Sequence, residues 1–239
     1  MDRAVYDRMA ENEAEHWWFT GRRAVLGALL DRLDLKPSST ILEAGCGSGG
    51  NLQLLSRYGH LDAFEYDDTA RAEAEAKGVT AVASGGLPND LPPGGPWDLI
   101  ALFDVLEHIE DDCASLVALG DRLCDDGRIL ITVPAAQWLW SHHDEAHHHF
   151  RRYSRRSLRS VISDAGLRVL GIGNFNTLLF PLAVAQRLAQ RISGSEAPAD
   201  ARPAQWMNAS LQTVFSSERY LVGRIPLPVG LSLWAVAGR

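Results

Sequence analysis

Residues 41–51 read Ile-Leu-Glu-Ala-Gly-Cys-Gly-Ser-Gly-Gly-Asn (ILEAGCGSGGN), and their reading decides the fold. A short apolar run gives way to glycines, with Gly45, Gly47 and Gly50 in a G-x-G-x-x-G register. Glycines after a strand let the backbone turn tightly and approach a ligand without side-chain collision before a helix begins. In a dinucleotide site the N-terminus of that helix faces a pyrophosphate.

Glu43 complicates that picture, because it stands two residues before the first glycine. A carboxylate at the mouth of the loop repels a diphosphate and attracts a ligand carrying an ammonium and a sulfonium. The charge balance therefore favours S-adenosylmethionine (SAM) over NAD.

Outward from this loop, strand-like and helix-like segments alternate. Strand patterns cover 40–44, 61–66, 79–83, 99–103, 128–133 and 167–172, with Asp126-Gly127 opening the fifth and a last strand at 231–237. Helical patterns cover 52–58, 68–77, 112–123 and 154–165. This predicts an α/β fold: a parallel sheet covered by helices on both faces. Before it, residues 2–33 look helical, with Val25, Leu26, Leu29, Leu30 and Leu33 at helical spacing. Two helical stretches, 177–192 and 206–220, precede the last strand, separated by the low-complexity linker SGSEAPADARPA. The expected organisation is an N-terminal helical lid at 1–35 and a ligand-binding core at 36–176. A helical insert follows at 177–226, with a flexible linker near 193–205, and a terminal strand at 227–239 completes the core.

Two further motifs follow the glycines in order. Leu61–Asp67 is a strand ending in Glu65, about twenty residues beyond the first glycine, where an acid takes ribose hydroxyls in either cofactor system. Residues 97–109 read WDLIALFDVLEHI. The first motif resembles that of class I SAM-dependent methyltransferases, an acid followed by G-x-G-x-G, and the third resembles their fourth-strand motif, F-D-x-V…LEH. The resemblance covers about residues 36–174 and the terminal strand.

It implies a Rossmann-like seven-stranded sheet with the last strand antiparallel, and SAM as cofactor with S-adenosylhomocysteine as product. It also implies roles. Glu43, Gly45, Cys46, Gly47 and the loop through Asn51 would hold the methionine part. Glu65 would take the ribose, with Tyr66 against the adenine. The turn at Ser84–Leu87 lacks the acid many relatives use for the adenine amino group, so Gly86 and Leu87 would serve, or Asn89 or Asp90 would reach back. Phe103 and Asp104 would lie beside the sulfonium, and His108 near cofactor or substrate.

Two flanking stretches carry chemistry as well. Residues 15–23 read EHWWFTGRR. Tandem tryptophans beside Phe19 are costly to expose, so they pack on something. The arrangement resembles a bacterial subgroup of small-molecule and saccharide-associated methyltransferases, which implies Trp18 and Phe19 at the site. Arg22 or Arg23 would then pair with the SAM carboxylate. The alternative is that these residues only pin a helix to the core. Residues 133–153 read VPAAQWLWSHHDEAHHHFRRY and hold five of the eight histidines. The same subgroup shows W-L-W-S…D and H-x-R-R-Y segments, matched by Trp138, Trp140, Asp144, His149, Arg151, Arg152 and Tyr153. The stretch follows the fifth strand, at the carboxyl edge where open α/β sheets bind ligands. His149 is the first choice for a base or a substrate-orienting group, with His143 and Asp144 behind it. Spacing within the stretch is poor for metal, so no metal is expected.

Bulk properties narrow the partners. The 239 residues are 46% apolar, enough for a sizeable core, and the net charge of -7 argues against nucleic acid bound by general electrostatics. The charged start lacks an apolar signal region, no run of roughly 18 uncharged apolar residues predicts a spanning helix, and three cysteines without C-x-x-C fit a reducing compartment. A cytoplasmic protein with no stable membrane insertion is expected, with a homodimer open. The apolar segment at 178–184 is expected to be buried packing or a substrate-side cover. The leading expectation is methyl transfer to a small-molecule or glycan acceptor, on oxygen, by in-line displacement with a histidine base. A non-catalytic SAM-binding protein and an NAD-dependent oxidoreductase are the alternatives.

Overall fold

The computed structural model describes residues 11–193 and 203–239. Seven strands form one sheet: β1 (Thr40–Ala44), β2 (His60–Glu65), β3 (Val82–Ser84), β4 (Trp97–Phe103), β5 (Leu123–Pro134), β6 (Arg168–Phe175) and β7 (Ser232–Gly238). Their order is β3-β2-β1-β4-β5-β7-β6. The first five pair in parallel, and β7 runs antiparallel to both β5 and β6. The order reverses between β1 and β4, so a crevice opens beyond the carboxyl ends of those two strands.

Alternation along the central strands fills two cores. Leu42, Ile100, Leu102, Ile129 and Ile131 face one side with α4 (Asp112–Gly120) and α6 (Arg155–Asp164). Ile41, Leu99, Ala101, Phe103 and Leu130 face the other, against α1 (Trp17–Leu30) and α8 (Gln205–Ser217). Two short helices follow the glycine loop and β5: α2 (Leu52–Leu55) and α5 (His142–Ala146). The others are α3 (Asp68–Ala76), N-capped by the Asp67 side chain, and α7 (Phe180–Ser193).

The first turn of α1 is fixed in place by α8. Asn208 accepts from the Trp17 backbone N–H at 2.9 Å and donates to the Glu15 carbonyl at 2.9 Å. Gly21 lets the helices approach: a Cβ there would stand 2.6 Å from the Phe215 ring. Val25, Leu26, Leu29 and Leu30 are buried, so α1 is a layer of the core whose N-terminal turn reaches the crevice.

Several boundaries move from expectation. The helix expected over 2–33 is interrupted by a turn at 13–15. β5 begins at Leu123, not after Asp126-Gly127, because Leu123 pairs with Trp97 before the register shifts. β3 starts at Val82, where it meets Ala63. Most of the expected linker near 193–205 lies outside the described residues. The apolar segment at 178–184 is split: Leu179 is buried, whereas Leu178 and Leu182 are exposed.

Candidate functional site

A cavity of about 590 Å³ occupies the crevice at the ends of β1, β2 and β4. Every residue expected to contact the cofactor lines it except Glu43. The glycine loop forms its floor. Gly47 has φ 56°, a left-handed conformation, and a Cβ there would meet nothing within 4 Å among the described residues, because it would stand in the cavity. Glu65, at the end of β2, is buried; its two carboxylate oxygens accept from the backbone N–H groups of Gly47 (2.7 Å) and Asp67 (3.0 Å). Tyr66 projects outward with its ring edge against Gly86. Both backbone polar groups of Gly86 are bonded to the backbone of Asp90 at 2.8 and 2.9 Å, and Gly85, Gly86 and Leu87 together line the cavity at that turn.

Glu43 departs from its expected place at the mouth. Period-two alternation puts it on the same sheet face as Ile41, under α1, where it is only 1% exposed. Its Oε1 accepts from Asn51 Nδ2 at 2.9 Å, while Oε2 has no partner among the described residues. Burial pushes its carboxyl up to about 7, against the pull of the Asn51 hydrogen bond and of Arg22. Glu43 thus acts beneath the loop through Asn51, which itself lines the cavity. Sequence reasoning also missed Glu13, which lines the cavity, accepts from Ser48 Oγ at 2.7 Å and pairs with Lys77. It sits in a charged run that carries no distinguishing signal.

Arg22 is committed to Asp104 rather than free for an external carboxylate. The pair lies 2.5 Å apart, and Arg22 also donates to Thr132 at 3.3 Å. Its guanidinium lies 5.3 Å from the centre of the Trp18 ring. Asp104 follows β4 at φ 54°, a sparsely populated conformation for a residue with a side chain.

A second cavity, of about 340 Å³, lies next door and shares Trp18, Phe19, Asp104 and His108 with the first. Its remaining wall includes Glu107, His143, His147, His149 and Arg152, with Ala183, Gln186 and Arg187 from α7. His149 Nδ1 lies 2.9 Å from Asp144 Oδ1. Asp144 is fully buried behind the cavity and also accepts from Arg152 Nε at 2.7 Å and Ser141 N at 2.9 Å. Burial opposes ionisation of Asp144, but the hydrogen bonds from His149 and Arg152 prevail and hold its carboxyl well below the usual range. Beside an ionised Asp144, the neutral form of the His149 imidazole carries its proton on Nδ1 and its lone pair on Nε2. Burial pushes His108 down to about 3, helped by His149 and His147 nearby. Burial, then the Asp104 charge, raises Glu107 well above its ordinary value.

Comparison with known proteins bears on the family and the fold. A family model described as "Methyltransferase domain" matches residues 18–171. The polyketide synthase ThaQ of Burkholderia thailandensis is 32% identical over 114 residues, 43% of this chain but 5% of that much longer protein. Among solved structures, the fold is similar to the putative methyltransferase in complex with the Trm112 methyltransferase activator of Haloferax volcanii. That match has a TM-score of 0.64 and 19% identity, over 98% of this chain and 94% of the other. It is also similar to magnesium protoporphyrin IX methyltransferase from Synechocystis PCC 6803, solved with bound SAH, at a TM-score of 0.58 and 16% identity over 72% and 88%. The glycine loop, the β2 acid and the β4 end all lie within the matched span, on the seven-stranded sheet these structures share, and the chain belongs to the methyltransferase domain family.

Proposed function

We propose that the chain transfers a methyl group from SAM to an oxygen of a small-molecule or glycan acceptor. The larger cavity is the cofactor site and the smaller one the acceptor site. One observation carries this reading: the two cavities share Trp18, Phe19, Asp104 and His108, so a donor and an acceptor would meet there.

The residues present fit the cofactor. Asn51, held by the buried Glu43 carboxyl, lines the cavity, and Gly47 leaves a cradle that any side chain would fill. Asn51 and the glycine loop would hold the amino-acid part, Glu65 the ribose, and Tyr66 with Leu87 the adenine. When bound, SAM supplies an electrophilic methyl group on a sulfonium. Trp18 and Phe19 exclude water from the junction, and Phe103 and Asp104 border it. An acceptor hydroxyl must lose a proton as it attacks. The Nε2 lone pair of His149, oriented by Asp144, and His143 across the cavity are the groups that would govern that proton.

The aromatic and apolar wall (Trp17, Trp18, Leu139) beside histidines and arginines suits an oxygenated organic acceptor. The likeness to a polyketide synthase points to the same class of compound. Calorimetry with SAM, S-adenosylhomocysteine and NAD tests the donor. Binding of the first two without the third supports the proposal, and binding of NAD alone overturns it. A radiolabelled-methyl screen over hydroxylated small molecules and glycans then tests the acceptor class.

A further inference from the structure

The acceptor cavity holds a cluster that the methyl-transfer reading leaves unexplained. Glu107 and His108 stand just after β4, and His149 stands after β5. A ligand atom from each lies within 4.8 Å of the other two. The backbone N–H of Phe150 donates to the Glu107 carbonyl at 2.8 Å, stitching the two loops together. The His108 and His149 rings are thereby set edge to face, 4.5 Å between centres.

We infer that Glu107, His108 and His149 bind a divalent first-row transition cation at the wall of the acceptor cavity. Two imidazoles with one carboxylate are a donor set for such ions and leave positions open for an external oxygen. Two independent observations point to a ligand. Glu107 is 1% exposed and its Oε2 has no partner among the described residues, so this acceptor is buried without compensation there. His149 is backed by Asp144 at 2.9 Å, the carboxylate–histidine support that orients an imidazole whose other nitrogen faces a cation. The site takes up the Nε2 lone pair of His149. An acceptor hydroxyl bound at an open position would be acidified by the cation, and His143, which also lines the cavity, would receive its proton. This role rests on the acceptor-site reading, whereas cation binding does not.

The test uses the full chain, stripped with chelator and freed of any polyhistidine tag. Zn²⁺ is titrated by calorimetry, Mn²⁺ by electron paramagnetic resonance, and Mg²⁺ serves as the oxygen-preferring contrast. One equivalent of Zn²⁺ or Mn²⁺ is expected, with Mg²⁺ weaker. Glu107→Gln, which preserves shape, and His149→Ala should each weaken binding by about 10- to 100-fold. His142→Ala, at an exposed histidine outside both cavities, should leave it unchanged. No saturable uptake by the wild type overturns the site, as does affinity unaffected by Glu107→Gln, which would mean that loop histidines bind adventitiously. SAM calorimetry on the metal-free protein keeps the two proposals apart. Cation uptake without SAM binding would leave this site standing and remove the methyltransferase reading, and SAM binding without cation uptake would do the reverse.

Discussion

Arg22 on α1 and Asp104 at the end of β4 form an ion pair at 2.5 Å, with side chains 7% and 22% exposed. The pair ties the aromatic turn of α1 to the strand end that both cavities share. Removing one member leaves the other charge largely dehydrated, at a cost of about 3 kcal/mol. Arg22→Met and Asp104→Asn should therefore each destabilise the protein in urea unfolding. The double variant should lose less than the sum of the two. Additive losses below about 0.5 kcal/mol would show that the pair does not hold the junction together.

Gly47 yields a sharper prediction. Its φ of 56° costs a residue with a Cβ about 1 kcal/mol, and the open space around its Cα belongs to the cavity. Gly47→Val should fold with a modest loss of stability and abolish SAM binding measured by calorimetry. Gly47→Ala should bind more weakly than wild type and better than Val. Equal affinity in all three proteins would separate this loop from the cofactor.

Much of this site was legible before the fold, for a physical reason. The glycine loop, the acid at Glu65 and the strand end at Phe103-Asp104 are local backbone features, each written in contiguous residues. A parallel sheet with helices on both faces followed from the alternation of strands and helices, and the antiparallel last strand from the family resemblance, whereas the strand order was read only from the fold. What was not legible depends on long-range pairing. Asp126-Gly127 reads locally as a turn, yet Leu123 is captured by Trp97 and extends β5 backwards. Glu43 reads as a charge at a mouth, and only the packing of α1 over its sheet face buries it. Glu107 and His149 lie on different loops, and the bond from Phe150 to Glu107 brings them together.

Glu43 makes stability depend on pH. Its folded-state carboxyl titrates near 7, against an ordinary value of 4.5, chiefly because it is buried. Between those values the folded state holds more protons than the unfolded state, so stability falls as pH rises through that window. The contribution is fully present below 4.5, and about 3 kcal/mol of it is gone above 7. Glu43→Gln can still accept from Asn51 and does not titrate. The difference in unfolding free energy between variant and wild type should therefore widen as pH rises through the window. A difference that stays flat from pH 5 to 8 would mean that Glu43 is ionised in the fold.

Asp144 separates orientation from proton transfer at the acceptor cavity. It lies behind His149, bonded also to Arg152, and does not itself line the cavity. Asp144→Asn removes the charge that fixes the His149 tautomer, so kcat should fall by about 10²- to 10⁴-fold with KM for SAM unchanged. His149→Ala should fall at least as far, and the two losses should not multiply in the double variant, because both act through one imidazole. His143→Ala should lower kcat as well, with a loss that combines multiplicatively with that of Asp144→Asn if His143 receives the proton independently. Should His149→Ala and His143→Ala both turn over a true acceptor at the wild-type rate, neither imidazole governs the proton, and an acceptor needing less help with its proton, a carboxylate or an amine, becomes the consistent reading.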